Sequence, residues 1–483
     1  MNQAHRAHPI MVLEHLSRFL YLLLLPLLRG VAAGLRNGLA GWLAGAWFDL
    51  LVLLLIVGLA VARWLLLTYE RRPEGLFVQA GIFWRSRTLI PAARVDTMAL
   101  TYPFWLRPLG AVRLRVDTKA GGFDQADIRL TLRRRDAEEL FADREEGLSG
   151  ESYLPREYTP RGIYIAALSA ILSNSLAGVI FFSTFISQTG TLLGEELENR
   201  IYGTFETFTR MMAFGLPPAA AAIAYLLLFG WLFTFVRNLI RHKNFRVRRS
   251  AGALNISGGI FTLRRYSVAV EAINYVDIRQ SVLTKLLGLY SVFIHAVGYG
   301  KMEDDVSALI PATAARDLMR HLSLLLPEFK LTSRQAKPNP GAIFRFLNDA
   351  FWPCVLLPAA AIILGRVFPT WADFIHWVGF MSCLPAFLFL IVRILDFTSS
   401  GIGRHNDIYT LRYSSGFYLH TVMMPREKAA NITLRQSVFQ KMDNKCDVLI
   451  YSISEKRRRH HIRNIDKDMA IQVLGLELMG EKA

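Results

Sequence analysis

The chain has 483 residues, 52% of them hydrophobic, and a formal net charge of +17. This length allows three or four domains, and the apolar content is high for a soluble protein. The two properties occupy different segments, because most lysines and arginines follow the apolar stretches, in regions 70–162, 237–345 and 393–483. The composition therefore argues against a single soluble domain and indicates basic modules tethered to a membrane.

Several functional classes lack their sequence signatures. The positive charge suits nucleic acid, but no aromatic-basic RNP or helix-turn-helix pattern accompanies it. The cysteines Cys354, Cys383 and Cys446 show no paired spacing, which argues against a disulfide framework or a zinc site. His460-His461 lack a third ligand at metal spacing, and no catalytic triad or HExxH motif occurs. We therefore expect no enzymatic activity, cofactor, metal or nucleic-acid partner, and no cleaved signal peptide.

Six apolar stretches are long enough to cross a hydrocarbon core about 30 Å thick, which takes roughly 20 helical residues. The first is the weakest, because Glu14, Arg18 and Arg29 crowd it and Pro26 interrupts it, so it can also lie partly in the membrane interface. The predicted spans are 15–35, 43–67, 163–187, 212–236, 347–368 and 374–395.

The spans form three pairs, and a more polar region follows each pair. We predict transmembrane hairpins at 10–68, 160–240 and 345–397 and soluble modules at 69–150, 241–330 and 404–480. Arginines and lysines cluster at 237–249, after the fourth span, whereas glutamates dominate the 188–210 loop. The positive-inside rule therefore places the modules in the cytoplasm, although Arg29 and Arg36 in the first hairpin loop disagree.

The modules repeat one pattern. Gly81-Ile82-Phe83, Val95 and Leu109-Gly110 recur at the same spacing as Gly259-Ile260-Phe261, Ile273 and Leu287-Gly288. A third copy starts at Gly416 and realigns where Arg435-Gln436-Ser437-Val438 matches Arg279-Gln280-Ser281-Val282. Short alternating runs indicate strands, and a helical pattern closes each copy, at 133–146, 312–326 and 464–478. The repeat predicts three modules, each a small, mostly antiparallel sheet or barrel with one C-terminal helix.

The repeated motifs and the preceding span pairs resemble the bacterial membrane-flanked, pleckstrin-homology-like family, in its three-module YdbT type, over nearly the whole chain. The resemblance implies an α+β membrane protein: six transmembrane helices in three hairpins, each followed by a pleckstrin-homology-like module, a bent seven-stranded sheet capped by one helix. It also implies the bacterial cytoplasmic membrane, no enzymatic activity, a smaller one-module partner of the YdbS type or self-association, and a link to envelope stress or antimicrobial tolerance.

The candidate site residues are basic side chains and glycines. Arg107, Lys285 and Lys441 recur at one position of the repeat, and with them we group Arg279, Arg435, Arg246, Arg248, Arg249, Arg457, Arg458 and Arg459. Anionic lipid headgroups or a partner can bind such cations, each worth about 1 kcal/mol near a membrane, but solvated loop cations and topology also explain them. We expect turns with positive φ, rather than a phosphate cradle, at Gly81, Gly110, Gly259, Gly288 and Gly416.

We interpret the chain as a non-enzymatic membrane scaffold whose cytoplasmic modules mediate assembly and contact anionic lipid. The alternative is a transporter or lipid-handling protein that its modules gate, although the predicted spans contain few polar residues apart from Ser173-Asn174-Ser175. An enzyme acting on lipids is the least favoured interpretation.

Overall fold

A computed structural model describes residues 5–27, 29, 46–82, 84–118, 127–148, 156–172, 203, 218–250, 252–299, 308–453 and 458–476. The helices of these residues are α1 (Met11–Phe19), α2 (Ala46–Leu65), α3 (Arg134–Leu148), α4 (Gly162–Leu172), α5 (Pro218–His242), α6 (Val282–Leu286), α7 (Ala315–Leu325), α8 (Ile343–Val367), α9 (Ala372–Ser399), α10 (Val438–Met442) and α11 (Lys467–Leu474).

Three segments of the described residues are long and apolar enough to cross a membrane: Trp47–Leu65, Pro340–Val367 and Val378–Ser399. They correspond to the predicted spans 43–67, 347–368 and 374–395, and α8 packs against α9. The other three predicted spans lie partly outside the described residues. Parts of two of them form α4 and α5, which contact each other.

The start of the first predicted hairpin packs on module 1. Met11 of α1 lies in the core of that module. Glu14 accepts a hydrogen bond from Arg113 at 2.6 Å and another from Thr131 at 3.0 Å. Glu14 therefore contacts the module, and Arg29, further along, pairs with Asp49 of α2 at 2.7 Å.

The strands of the described residues form four antiparallel sheets. Their bounds are β1 (His5–Arg6), β2 (Thr68–Arg72), β3 (Gly75–Ala80), β4 (Ser86–Pro91), β5 (Val95–Pro103), β6 (Ala111–Thr118), β7 (Ile128–Arg133), β8 (Arg156–Tyr158), β9 (Arg246–Arg249), β10 (Ala253–Gly258), β11 (Thr262–Ala269), β12 (Ile273–Ser281), β13 (Leu289–Ala296), β14 (Ala308–Ala314), β15 (Gly401–His405), β16 (Ile408–Ser415), β17 (Tyr418–Pro425), β18 (Ala429–Arg435), β19 (Lys445–Ser452) and β20 (Arg458–Asp466).

The sheets do not coincide with the modules. The orders are β1-β2-β3-β4, β7-β6-β5-β11-β10-β9-β8, β14-β13-β12-β17-β16-β15 and β18-β19-β20. The two middle sheets each combine the last strands of one module with the first strands of the next. The predicted sheet of each module is therefore divided in two, and both middle sheets continue across a module boundary.

Each module still has its own core and its own C-terminal helix. Helix α3 buries Ala137 and Phe141, α7 buries Leu318 and Leu322, and the third-module helix buries Ala470, Val473 and Leu474. Two helices begin later than predicted. Because β14 runs to Ala314, α7 starts at Ala315, and α11 starts at Lys467, where the Asp466 side chain accepts from the backbone N–H of Met469.

The repeated glycines lie at turns. Gly81, Gly110, Gly259, Gly288 and Gly416 all have positive φ, between 58° and 122°. At Gly81 and Gly259 a Cβ would also meet a backbone carbonyl oxygen, at 1.8 Å and 2.2 Å. Asn444, which replaces glycine in the third copy, has φ of 50°, a conformation that asparagine tolerates.

Candidate functional site at the module junctions

Two strand pairs join the three modules. Strand β5 of module 1 pairs with β11 of module 2, from Thr97↔Val268 to Pro103↔Thr262. Strand β12 of module 2 pairs with β17 of module 3, from Val276↔Met423 to Ser281↔Tyr418. When the repeats are aligned on their 3-10 turns after β4, β11 and β17, both junctions have the same register. The chain thus uses one pairing rule twice: the strand after the 3-10 turn of one module (β5 or β12) binds the strand before the 3-10 turn of the next (β11 or β17).

The cores also extend across these junctions. Ala99 of module 1 and Met423 of module 3 both lie in the core of module 2. Tyr275 of module 2 lies in the core of module 3, and Leu263 of module 2 packs against the core of module 1. Separating two modules would therefore expose apolar side chains as well as unpaired backbone groups, and each of these costs free energy.

At the first junction, the β13 end of module 2 contacts module 1. Thr97 donates a hydrogen bond to the carbonyl of Val297, and Arg115 donates one to the carbonyl of Gly298. Arg115 also pairs with Asp117 at 3.0 Å, and the Asp117 side chain is 1% exposed. The turn at Gly298 is therefore fixed against a buried ion pair of the neighbouring module.

Gly298→Ala tests this contact. Gly298 has φ of +76°, and a Cβ there would lie 2.4 Å from the side chain of Asp117, whereas Gly288, with φ of +63°, has nothing within 4 Å. A left-handed alanine costs about 1–2 kcal/mol at either site, and overpacking adds about 1–3 kcal/mol at Gly298 alone. We expect Gly298→Ala to lower the thermal unfolding midpoint in mild detergent well below that of Gly288→Ala; equal midpoints would contradict the contact.

The second junction contains a buried charged network. The Asp277 side chain of β12 accepts from Arg279 at 2.5 Å and lies 3.0 Å from Nδ1 of His420 on β17. Arg279 also lies 3.1 Å from Nε2 of His295 and stacks over the ring of Phe293. Although burial alone raises the pKa of Asp277, the hydrogen bond from His420 and the nearby charge of Arg279 hold it well below the ordinary carboxyl value. Asp277 is therefore the anion that links module 2 to module 3.

Aromatic rings continue this network into module 3. Tyr275 stacks on His295, with ring centroids 4.3 Å apart, and meets His460 edge to face at 5.0 Å. Tyr413 stacks on His420 and shares a hydrogen bond of 2.8 Å with Nδ1 of His460. The junction is therefore packed by aromatic and imidazole rings from both modules.

The repeated Gln-Ser pair builds a short helix after β12 and another after β18. Ser281 and Ser437 cap α6 and α10, each within a capping box. The side-chain amides of Gln280 and Gln436 donate to the carbonyls of Leu289 and Lys445. This arrangement satisfies the free N–H groups at the helix start, and it fixes the side chains that α6 and α10 present to their surroundings.

Those short helices present apolar side chains beside a basic one. Leu286 of α6 is 82% exposed, and Phe439 and Met442 of α10 are 72% and 81% exposed. Lys285 is half-buried, which lowers its pKa, and Lys441 is exposed. Exposed apolar residues with neighbouring cations are typical of surfaces that contact a membrane interface.

The contacts place this surface on the side of the modules from which the long apolar helices extend. Phe417, in the turn before β17, packs edge to face on Phe389 of α9 at 5.8 Å. Helix α6 contacts both α4 and α9. Next to α10, Asn464 accepts hydrogen bonds from Gln440 and from Arg345 of α8. Helices α6 and α10 therefore lie where the modules meet the long apolar helices.

The predicted basic residues do not form one site. Arg107 donates to the carbonyls of Ile260 and Phe261 in module 2, the latter at 3.1 Å. Arg249 is buried and pairs with Glu328 at 2.6 Å. Arg107, Arg249 and Arg279 therefore make contacts within the protein instead of presenting free cations.

Other predicted cations lie nearer the surface. Arg246 and Arg248 flank Glu157 and line, with Arg265, a cavity of about 320 Å³ between α3 and module 2. Arg435 and Arg459 are exposed. Arg458 begins β20, and Arg457 lies outside the described residues.

The sequence interpretation missed the residues that join the modules. The candidate site residues do not include Asp277, Tyr275, His420 or Gly298. A charged Asp277 within the mostly apolar segment from Ile273 to Ile278 is the one signal that could have identified a buried ion pair. Nothing in the local sequence of His420 or Gly298 indicated a contact with another module.

Comparison with known proteins finds a family and a relative that this chain resembles. The bacterial PH domain family matches residues 21–145 and 204–326. The transmembrane protein YdbT of Bacillus subtilis (strain 168) is 22% identical over 409 residues, which are 80% of this chain and 79% of YdbT. None of the solved structures matches significantly.

Proposed function

Since the chain belongs to the bacterial PH domain family, we propose that it is a non-enzymatic scaffold of the bacterial cytoplasmic membrane, with its modules on the cytoplasmic side. The observation that carries the proposal is the repeated junction, which joins the modules into one row through two continuous sheets. Buried side chains fix both junctions, so the row presents its surfaces in a constant order. Holding binding surfaces in fixed relative positions is what a scaffold does.

The membrane-facing side of this row supports a contact with lipid. Phe439 and Met442 of α10 are largely exposed, in a protein whose neighbouring helices are apolar enough to enter a bilayer. Burying such side chains in lipid is favourable by about 25 cal/mol per Å². Lys441 lies between them in the sequence and Arg435 ends the preceding strand, and each cation near an anionic leaflet contributes about 1 kcal/mol. We assign α10 to the headgroup region. A role in envelope stress or antimicrobial tolerance belongs to the proposal only because the family resemblance implies it.

A fluorescent label at position 439 tests the lipid contact. In a background with alanine at Cys354, Cys383 and Cys446, Phe439→Cys is labelled and the full chain is reconstituted into vesicles. We expect brominated lipids to quench the label, and brominated phosphatidylglycerol to quench it more strongly than brominated phosphatidylcholine.

The matched control is Asp407→Cys, on the turn between β15 and β16. Strand β16 separates this turn from the one that contains Phe417, a distance of about 25 Å at the usual rise of a strand. We expect no quenching at position 407. Equal quenching at both positions, or none at position 439, would contradict the assignment of α10 to the headgroup region.

A further inference from the structure

The row of modules has two open ends. Within the described residues, β4 of module 1 and β18 of module 3 are edge strands. They are the same two strand types that pair inside the chain, since β4 corresponds to β11 and β17, and β18 corresponds to β5 and β12. One end of the row therefore has an unpaired strand of the β11 type, and the other end has an unpaired strand of the β12 type that could pair with it.

The exposure of these strands differs from that of their internal counterparts. Most residues of β5 and β12 are buried, whereas every residue of β18 is half-buried or exposed. In β4, Ile90 is the one buried residue. Edge strands that must stay unpaired usually have lysines, prolines or bulges. Strand β18 contains neither lysine nor proline, and the proline of β4 is its last residue. The register of β18 shifts between Ala429 and Asn431, but the internally paired strands β5 and β12 shift at the equivalent positions, so this irregularity is compatible with pairing.

We infer that β18 of one copy binds β4 of a second copy, so that chains associate head to tail in the membrane through a third junction of the same type. This inference rests on the proposed scaffold and names its partner. The internal register fixes the pairing: Met423↔Val276 becomes Leu89↔Ile432, and Val422↔Asp277 becomes Thr88↔Thr433. Neither strand places two like charges directly opposite each other in this register, since Ser86 faces Arg435 and Arg87 faces Leu434.

The membrane helices are compatible with this arrangement. Inside the chain, α9 of the third hairpin contacts α5 of the second, so modules 2 and 3 already place helices of their hairpins side by side. A second copy added in the same relation would put its first hairpin beside the third hairpin of its neighbour. The contact joins two different surfaces, so it can continue along a row of copies or close into a ring.

Disulfide cross-linking of the full-length protein tests the pairing. Two differently tagged chains without native cysteines, one with Thr88→Cys and one with Thr433→Cys, are co-expressed in the membrane and oxidised. Both positions are exposed, and opposite residues of antiparallel strands lie about 4.5–5.5 Å apart between Cα atoms, which a disulfide can bridge. We expect a dimer that contains both tags, and a ladder of higher species when one chain has both cysteines.

Two controls distinguish a failure of head-to-tail association from a failure of the internal junctions on which the proposed scaffold rests. Ala430→Cys replaces Thr433→Cys as the out-of-register partner, and it should give at least tenfold less dimer. Thr101→Cys with Arg264→Cys, opposite each other in the first internal junction, should form a disulfide within one chain. If that internal disulfide forms and the dimer does not, head-to-tail association is wrong while the scaffold stands. If neither forms, the internal junction fails as well.

Two other outcomes would overturn the pairing of β18 with β4 of a second copy. A dimer of Thr433→Cys chains alone would mean that β18 pairs with itself. A photo-crosslinking amino acid at position 433 that becomes attached to a different membrane protein would mean that another chain supplies the strand. Attachment to residues 86–91 of a second copy is the result that the shared register requires.

Discussion

Asp277→Ala is expected to loosen module 3 from module 2 and to destabilise the protein by about 3–5 kcal/mol, because breaking a buried ion pair leaves uncompensated charge behind. The Asp277 side chain is 2% exposed, and its loss would leave Arg279 and His420 facing each other across the junction without an anion. The thermal unfolding midpoint in detergent measures the loss, and limited proteolysis should release module 3 early. Asp407→Ala is the matched control, since that carboxylate is 83% exposed and its removal should change stability by less than about 0.5 kcal/mol.

The same substitution has a defined pH dependence. The pKa of Asp277 is lower in the folded protein than its ordinary value. The contribution of its charge to folding stability is therefore fully present above the ordinary carboxyl range, near pH 4. That contribution is lost as the pH falls through the folded-state pKa. We therefore expect the difference in midpoint between the parent and Asp277→Ala to narrow below about pH 4. A difference that widens in acid would mean that Asp277 is protonated at the junction.

Tyr275→Ala is expected to destabilise the protein about as much as Asp277→Ala does, but for a different reason. Tyr275 is fully buried, and its ring is a module 2 contribution to the core of module 3. Removing a large buried ring costs about 3–5 kcal/mol through lost transfer free energy and the cavity left behind.

Tyr275→Phe keeps the ring and the stacking on His295, so it separates packing from the hydroxyl group. We expect Tyr275→Phe to retain most of the stability and Tyr275→Ala to expose the junction to proteases. If Tyr275→Ala unfolds at the parent midpoint, the two cores are not shared across the junction.

The sequence predicted the modules better than their connections. The repeat around Gly81 and Gly259, the alternating strand runs and the closing helices identified modules, because these signals are local. The pairing of β5 with β11 joins residues far apart in the chain, as in Thr97↔Val268. Alternation of apolar residues indicates which face of a strand is buried but does not identify the strand at its edge.

The charged residues illustrate the same limit. Arg249 lies in a basic run beside a predicted span, which suggested a cation facing lipid. It instead occupies a buried position of β9, where it pairs with Glu328 and donates to the carbonyl of Leu325. Arg107 recurs at the position of Lys285 and Lys441, but its partners are carbonyls of the next module. Repetition of a residue in sequence therefore did not imply repetition of its environment.

Hydrogen–deuterium exchange on the full-length protein tests the central claim, that two continuous sheets join the modules. If β11 and β17 each lie between two paired strands, their backbone amides should exchange slowly, at rates similar to those of β6 within module 1. Peptides from both junctions would then be protected together, and Asp277→Ala would speed exchange at β17 while leaving β11 protected. Fast exchange of β11 and β17 in the parent protein, with β6 still protected, would contradict the account and indicate three modules that fold separately.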